Sequence, residues 1–364
     1  MTGFRIDVPD DVLDDLSERL RRTRYATPTP GEPWAAGVPP EYLAELVDHW
    51  LNKFDWRARE RYLNGYPQFL AEVGGETVHF AHIRSTAENA IPIILTHGWP
   101  YTFAEMLPLA DQLRDFHVVV PSLPGYVFSP PETSGAAIPP ATAETWHALM
   151  RSLGYDRYLS YGEDIGAGVS DWLAALHPDS VRGIYATHAA FPPTERRENL
   201  APVETEFFEW LAELWSGDEA YSAMQATRPD TLAASLGDSP AGLAAWIVEK
   251  FRSWSDCGGD LESSFSKDRL LTTVMLYWVT NSIGTSFRPY YDDRQKPPLP
   301  LVTVPAGVSV QQHERKYPRE IAERTYTDLR FFNLLTRGGH FTAAEAPDLV
   351  AADLRKFVAT LAPE

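Results

Sequence analysis

Five consecutive residues, Gly162-Glu163-Asp164-Ile165-Gly166, hold a carboxylate between two glycines. They follow an apolar run, Tyr158-Leu159-Ser160-Tyr161, and precede a helix-like stretch from Ala167 to Leu176. A strand, a sharp turn and a helix in that order make a nucleophile elbow. The turn leaves no room for a Cβ on either side of the central residue and forces unusual backbone angles. A carboxylate presented there can attack carbon and form an alkyl ester, which must then be hydrolysed. G-x-D-x-G alone equally fits an ordinary acidic turn, so its meaning rests on what stands before and after it.

Before it, His97-Gly98-Trp99-Pro100 follows the apolar run Ile91 to Thr96. A backbone N–H in such a post-strand loop, paired with that of the residue after a nucleophile, can hold a developing oxyanion. Here those residues are Trp99 and Ile165, and each such donor is worth roughly a hundred- to thousandfold in rate. Standing alone, the motif would read as a turn with a core tryptophan. After the elbow, Arg337-Gly338-Gly339-His340-Phe341 follows the last strand-like segment and offers His340 as a general base. The acid that orients it should follow the preceding strand. Glu314 lies 26 residues before His340, with Glu323 and Asp328 as competitors. Asp164, Glu314 and His340 then occur in the order nucleophile, acid, base. His79, His82, His117 and His188 fall in strand-like segments and read as satisfied core or surface residues. None has metal-ligand spacing, and His313-Glu314 lacks the second histidine of H-E-x-x-H.

The elements that must position these residues alternate. Strand-like segments at Ile91–Thr96, His117–Pro121, Leu159–Gly162 and Val181–Thr187 are separated by helical patterns at Phe103–Leu113, Thr142–Leu153 and Gly166–Leu176. Such alternation predicts a mostly parallel, doubly wound α/β sheet with helices on both faces. Residues 192–297 read as a helical block rich in Trp, Phe and Tyr, the pattern of a lid over an active site. Strands resume at Leu301–Pro305 and Arg330–Leu335, and a helix from Pro347 to Leu361 closes the chain. Ahead of the sheet, residues 1–90 hold helical patterns at Pro9–Arg24 and Tyr42–Leu51, a proline-rich meander, and a strand at Thr77–Ile83. The expected organisation is therefore 1–90 helical meander, 91–191 first part of the core, 192–297 lid and 298–364 second part of the core.

Composition narrows the function. With 364 residues, 44% hydrophobic, the chain can bury a large core. A formal net charge of −18 argues against nucleic acid or an anionic membrane as the main partner, and solubility is its plain meaning. One cysteine, Cys257, excludes an intramolecular disulfide framework and fits a reducing cytoplasm. Met1-Thr2-Gly3-Phe4 runs straight towards Asp10-Asp11 and does not read as a secretory leader. Leu270–Phe287 carries no charge over 18 residues, but its threonines and serines make it a buried helix rather than a membrane span.

On Thr96-His97-Gly98-Trp99-Pro100, Arg337-Gly338-Gly339-His340-Phe341, the lid stretch Leu236 to Phe251 and Leu276-Tyr277-Trp278, the chain resembles the α/β-hydrolase-fold epoxide hydrolases of the microsomal type over nearly its whole length. The resemblance implies an aspartate nucleophile, matching Asp164, and an acid spaced from Val304-Pro305-Ala306-Gly307, which selects Glu314. It also implies two lid tyrosines that bind the epoxide oxygen. One precedes Gln225-Ala226-Thr227-Arg228-Pro229 and maps to Tyr221; the other follows Ser286-Phe287-Arg288-Pro289 and maps to Tyr290, with Tyr291 adjacent. Without the resemblance both tyrosines would fit an aromatic core stripe equally well. The implied reaction converts an epoxide to a vicinal diol and needs no metal or organic cofactor. Lacking the membrane anchor of the microsomal pattern, the chain looks like the soluble bacterial members, some of which serve natural-product pathways.

A haloalkane dehalogenase shares the aspartate elbow but needs a halide-binding tryptophan beside the nucleophile, where Ile165 stands. A non-catalytic binding protein on the same fold would show a broken triad, and every expected position here is filled. A serine esterase has no G-x-S-x-G to use. Trp210, Trp215, Trp246, Trp254 and Trp278 in the lid block suit a roomy, aromatic-lined pocket for a bulky aryl epoxide, and equally a lid core. Oligomeric state is not readable, and a homodimer stays open.

Overall fold

The computed structural model describes residues 1–132, 137–218, 220–311, 313 and 317–361, without the side chains of 214–218. Its strands are β1 (Thr2–Phe4), β2 (Gln68–Val73), β3 (Glu76–Ile83), β4 (Pro92–Thr96), β5 (His117–Pro121), β6 (Tyr158–Gly162), β7 (Val181–Ala186), β8 (Val302–Gln311) and β9 (Tyr326–Leu335). They form one sheet in the order β1-β2-β3-β5-β4-β6-β7-β8-β9. From β5 to β9 neighbouring strands run parallel; β1, β2 and β3 join at one edge antiparallel. The strand order reverses around β4, where crossovers leave to opposite sides, and a crevice opens beyond the carboxyl ends of the strands at such a point. The central strands are covered on both faces, which is why Ile93-Ile94-Leu95 and Val118-Val119-Val120 are unbroken apolar runs, all 0% exposed.

The helices found between the strands, Phe103–Gln112, Pro139–Ser152 and Ile165–Leu176, agree with the periodicity to within a few residues. The first is fixed by a capping box: Thr102 accepts from Ala104 N–H while Glu105 reaches back to the Thr102 N–H. Residues 202–292 fold as helices among the described residues. The charge-free run Leu270–Phe287 is not one helix. The helix Lys267–Thr280 stops where Asn281 turns into the left-handed region (φ 49°), and Thr285–Phe287 is a short 3-10 turn. No described helix is long and apolar enough to cross a membrane.

Three elements were not expected. The β1 and β2 strands and the helix Trp56–Leu63 lie in the N-terminal stretch, so that stretch contributes three strands to the same sheet as the core. The strands β8 and β9 are also twice the expected length or nearly so, because Gly307 and the bulges beside it break the alternating pattern. The N-terminal helices clasp the helical segment 202–292: Arg59 donates to Thr272 Oγ1 (2.8 Å), His49 meets Asp268 (2.7 Å), Lys267 meets Glu45 (2.9 Å), and Arg19 meets Asp238 (2.7 Å). The buried Glu105 accepts from Thr273 Oγ1 at 2.6 Å, tying the helix Lys267–Thr280 to the helix Phe103–Gln112.

Candidate active site

Strand β6 ends at Gly162, and two residues later Asp164 takes φ 52° and ψ −123°, a region a residue with a side chain rarely occupies. The helix Ile165–Leu176 begins at once. A Cβ on Gly166 would lie 2.2 Å from the Thr96 carbonyl oxygen, so only glycine lets the turn pack against β4. The turn lifts the Asp164 carboxylate above the sheet towards the loop after β4. There a Cβ on Gly98 would lie 2.3 Å from Asp164 Oδ1, and the absence of one makes room for the carboxylate. The Trp99 N–H donates to that same oxygen at 3.0 Å. The Ile165 N–H, in the first turn of its helix, has no acceptor within the helix and lies at the positive end of its dipole.

His97 holds the loop in place. Its Nε2 accepts from Leu123 N–H (3.1 Å), which leaves Nδ1 to donate to the Gly98 carbonyl (2.9 Å). Full burial pushes its pKa down to about 4, so it is a neutral structural imidazole.

His340 follows β9 and the glycine pair. Its Nε2 lies 3.7 Å from Asp164 Oδ2, the oxygen that Trp99 does not hold. The ring is 4% exposed and packed by Trp254 (4.8 Å between centroids), Tyr101 (5.8 Å) and His188 (4.6 Å). Glu314 lies outside the described residues; β8 ends at Gln311, three residues before it.

Across from Asp164, Tyr221 and Tyr290 come together from the helices Ala220–Thr227 and Arg288–Asp292. Their phenols are hydrogen-bonded to each other, and burial, then the mutual repulsion and the Asp164 charge, raise the Tyr290 pKa well above its ordinary value. Trp99 connects its loop to both tyrosines: its indole stacks on Tyr221 (5.3 Å, 7°) and meets the edge of Tyr290 (5.9 Å, 82°). The Lys250 ammonium, on a side chain 6% exposed, sits 4.6 Å from the Tyr221 ring centroid. Tyr291 faces elsewhere. It is 39% exposed, carries Arg294 over its ring, and borders a hollow of about 890 Å³ whose walls do not include Asp164.

Asp164 lies where two cavities meet. One, about 550 Å³, is walled by Ile165, Tyr221, Ala223, Pro289 and Tyr290. The other, about 510 Å³, runs past Asp171, Trp172, His188, Phe191 and Leu299. Pro139, Gly168 and Lys296 border both. Among the described residues no group of three or more His, Cys, Asp or Glu side chains is placed to hold a metal ion.

The family model for the epoxide hydrolase N terminus matches residues 1–106, and that for the alpha/beta hydrolase fold matches residues 91–228. The chain is 32% identical to Epoxide hydrolase 1 of Sus scrofa, over 98% of this chain and 88% of that one. A Stigmatella aurantiaca protein, named provisionally as an epoxide hydrolase, is 39% identical over 98% of this chain and 84% of its own length. Among solved structures, the Aspergillus niger epoxide hydrolase superposes with a TM-score of 0.88 at 33% identity, covering 99% of this chain and 96% of that one. The chain belongs to the microsomal-type epoxide hydrolases of the α/β-hydrolase fold.

Two residues of this epoxide hydrolase site were missed or misread in the sequence. His188 is not in a strand: β7 ends at Ala186, and the imidazole packs against His340 with its Nε2 3.0 Å from Gln311 Nε2. The sequence assigns Glu163 no role of its own in the elbow. It is 0% exposed, and its Oε1 accepts from the Tyr161 hydroxyl, from Thr187 Oγ1 (3.3 Å) and from Ala343 N–H (2.7 Å). Burial pushes its pKa up to about 7. No pattern in the sequence marks either, since both are brought to the site by the ends of parallel strands. Among the described residues Trp210, Trp246, Trp254 and Trp278 do not wall these two cavities. Trp254 packs behind His340 and Tyr221, and Trp210 packs in a cluster with Phe207; the Trp215 side chain lies outside the described residues.

Proposed function

We propose that the enzyme opens its epoxide by attack of Asp164 on a ring carbon, giving a covalent alkyl ester. The observation that carries this is the arrangement around one carboxylate. Trp99 N–H holds Oδ1 at 3.0 Å, His340 Nε2 stands 3.7 Å from Oδ2, and two lid phenols share the cavity above it. An epoxide has ring strain but leaves as a poor alkoxide. Hydrogen bonds from Tyr221 and Tyr290 to the oxygen stabilise the charge as the C–O bond breaks, and a proton from this pair completes the hydroxyl. Burial and the nearby Asp164 charge raise the Tyr290 pKa well above its ordinary value, which keeps that phenol protonated and able to donate in the resting enzyme.

In the second half, His340 takes a proton from water, and the hydroxide attacks the Asp164 carbonyl carbon. The Trp99 and Ile165 N–H groups hold the tetrahedral oxyanion. As it collapses the ester C–O bond breaks, the departing diol oxygen takes the proton from His340, and the Asp164 carboxyl gives up its proton to restore the phenol that opened the ring. Glu314 is assigned as the acid that orients His340, supported by its place immediately after β8 and the spacing from Val304-Pro305-Ala306-Gly307. The substrate proposed is an epoxide with a sizeable substituent, because the cavity beside the phenols measures about 550 Å³.

A single turnover in ¹⁸O-water tests this route. The diol of that turnover should carry no label, since its new oxygen comes from Asp164, and the label should appear in the peptide containing Asp164. Label in the first diol would mean direct attack by water and would overturn the proposal.

A further inference from the structure

The helix that starts after Asp164 carries a second buried carboxyl that the reaction above does not use. Asp164, Gly168, Asp171 and Trp172 fall at the spacing of one helix face, and all four border the second cavity. Asp171 lies about 10 Å along the helix axis from Asp164, by the rise per residue. It is 1% exposed. Among the described residues its carboxyl has one hydrogen-bond partner, the Tyr326 hydroxyl, 2.9 Å from Oδ1. That hydroxyl in turn accepts from the Ala190 N–H at 2.9 Å, so its only hydrogen goes to Asp171. Oδ1 is therefore an acceptor, and a proton on this carboxyl resides on Oδ2.

We infer that Asp171, as a neutral carboxylic acid, is a specificity residue that donates a hydrogen bond to an oxygen acceptor on a second arm of the substrate. The inference rests on the epoxide-opening role of Asp164 and refines the substrate class. The epoxide is substituted on both carbons, one arm lying beneath Tyr221 and Tyr290. The other runs along the helix past Gly168 and carries a carbonyl or ether oxygen.

The chemistry of the cavity supports a neutral acid. Burial raises the Asp171 pKa to about 8, opposed by the Tyr326 hydrogen bond. The charged or titratable groups bordering the same cavity are Asp164, His188, Glu195, Arg197 and Lys296. None of these contributes to the shift. Lys296 is paired with Asp293, and Arg197 lies over the Phe208 ring at 4.5 Å with its Nε on the Pro192 carbonyl (2.7 Å). At the junction, a Cβ on Gly168 would meet nothing closer than Pro139 Cγ at 3.6 Å, so glycine leaves the passage between the cavities at its widest.

The test is a ratio of kcat/KM values for two epoxides of equal length, one with a ketone or ester oxygen in the second arm and one with an alkyl arm. Taking the ratio on one enzyme cancels the ionisations common to both substrates. Wild type should prefer the oxygen-bearing arm about tenfold, mainly through KM, the scale of one neutral hydrogen bond. The preference should hold below about pH 8 and fade above it, as the acid loses its proton. Asp171→Asn, which still accepts from Tyr326 and offers an N–H, should keep the preference and lose its pH dependence. Asp171→Leu should lose the preference at every pH. Equal ratios in wild type and both variants, with epoxides turned over normally, would overturn the inference and leave the function standing. If wild type turned over no epoxide and formed no ester, the reading of Asp164 would fall and the inference with it.

Discussion

Glu163 gives a prediction whose size is set chiefly by burial, opposed by its hydrogen bonds from Tyr161 and Ala343. Its carboxyl titrates near an ordinary value of 4.5 in the unfolded chain and near 7 in the folded one. The folded state therefore binds the proton more tightly, and stability falls as pH rises from 4.5 to 7, levelling off above. At about 1.4 kcal/mol per unit, the loss is roughly 3 kcal/mol across that window. Glu163→Gln removes the titration. The amide keeps an oxygen for Ala343 N–H and Tyr161, but puts its NH₂ where Glu163 Oε2 takes no hydrogen bond among the described residues. That fixed cost is about 1–3 kcal/mol, the same at every pH. The measurement is urea unfolding of wild type and variant at pH 5, 6, 7 and 8, with the difference in stability plotted against pH. The difference should move by roughly 3 kcal/mol in favour of the variant between pH 5 and 8. Other titrating groups are present in both proteins and cancel, apart from His340 and Glu345, whose charges act on Glu163. Parallel stability curves would show that Glu163 ionises normally in the fold and would refute the argument from burial.

Other substitutions probe the site itself. Gly98→Ala would place a methyl 2.3 Å from Asp164 Oδ1 and 2.4 Å from its Cβ, so kcat/KM should fall at least about a hundredfold while circular dichroism stays native. Activity within twofold of wild type would contradict the packing of that loop. Tyr290→Phe should lower kcat about a hundredfold or more, whereas Tyr291→Phe should change it less than twofold, because only Tyr290 shares a cavity with Asp164. Equal losses in the two variants would remove the distinction between them.

Much of the fold was legible because its signals are local. Buried parallel strands are short apolar runs, and the glycines of the elbow and the Gly98 loop mark contacts that no other residue permits. The strands β1 and β2 were not legible. The first is only three residues long, and in the second Phe69, Leu70, Ala71 and Val73 do not alternate cleanly with polar residues; pairing of β2 with β3, and of β1 with β2, makes them strands. In the site, Asp164, His340, Tyr221 and Tyr290 lie around one carboxylate and its cavity, each having been marked by a motif in its own segment. His188, Glu163 and Asp171 carry no such mark. Their significance comes from partners more than twenty residues away in sequence, as with Ala343 for Glu163 and Tyr326 for Asp171. The tryptophans left two readings open for the complementary reason, since a large aromatic ring fits a helical core as well as a pocket wall.

The most direct test of the central claim is intact mass spectrometry of His340→Gln mixed with a panel of epoxides and haloalkanes. Without the base the ester should persist, adding the full mass of an epoxide to the chain and mapping to Asp164. An adduct from haloalkanes alone, with the mass of the alkyl group and no halide, would contradict the account, as would an epoxide adduct on any other residue.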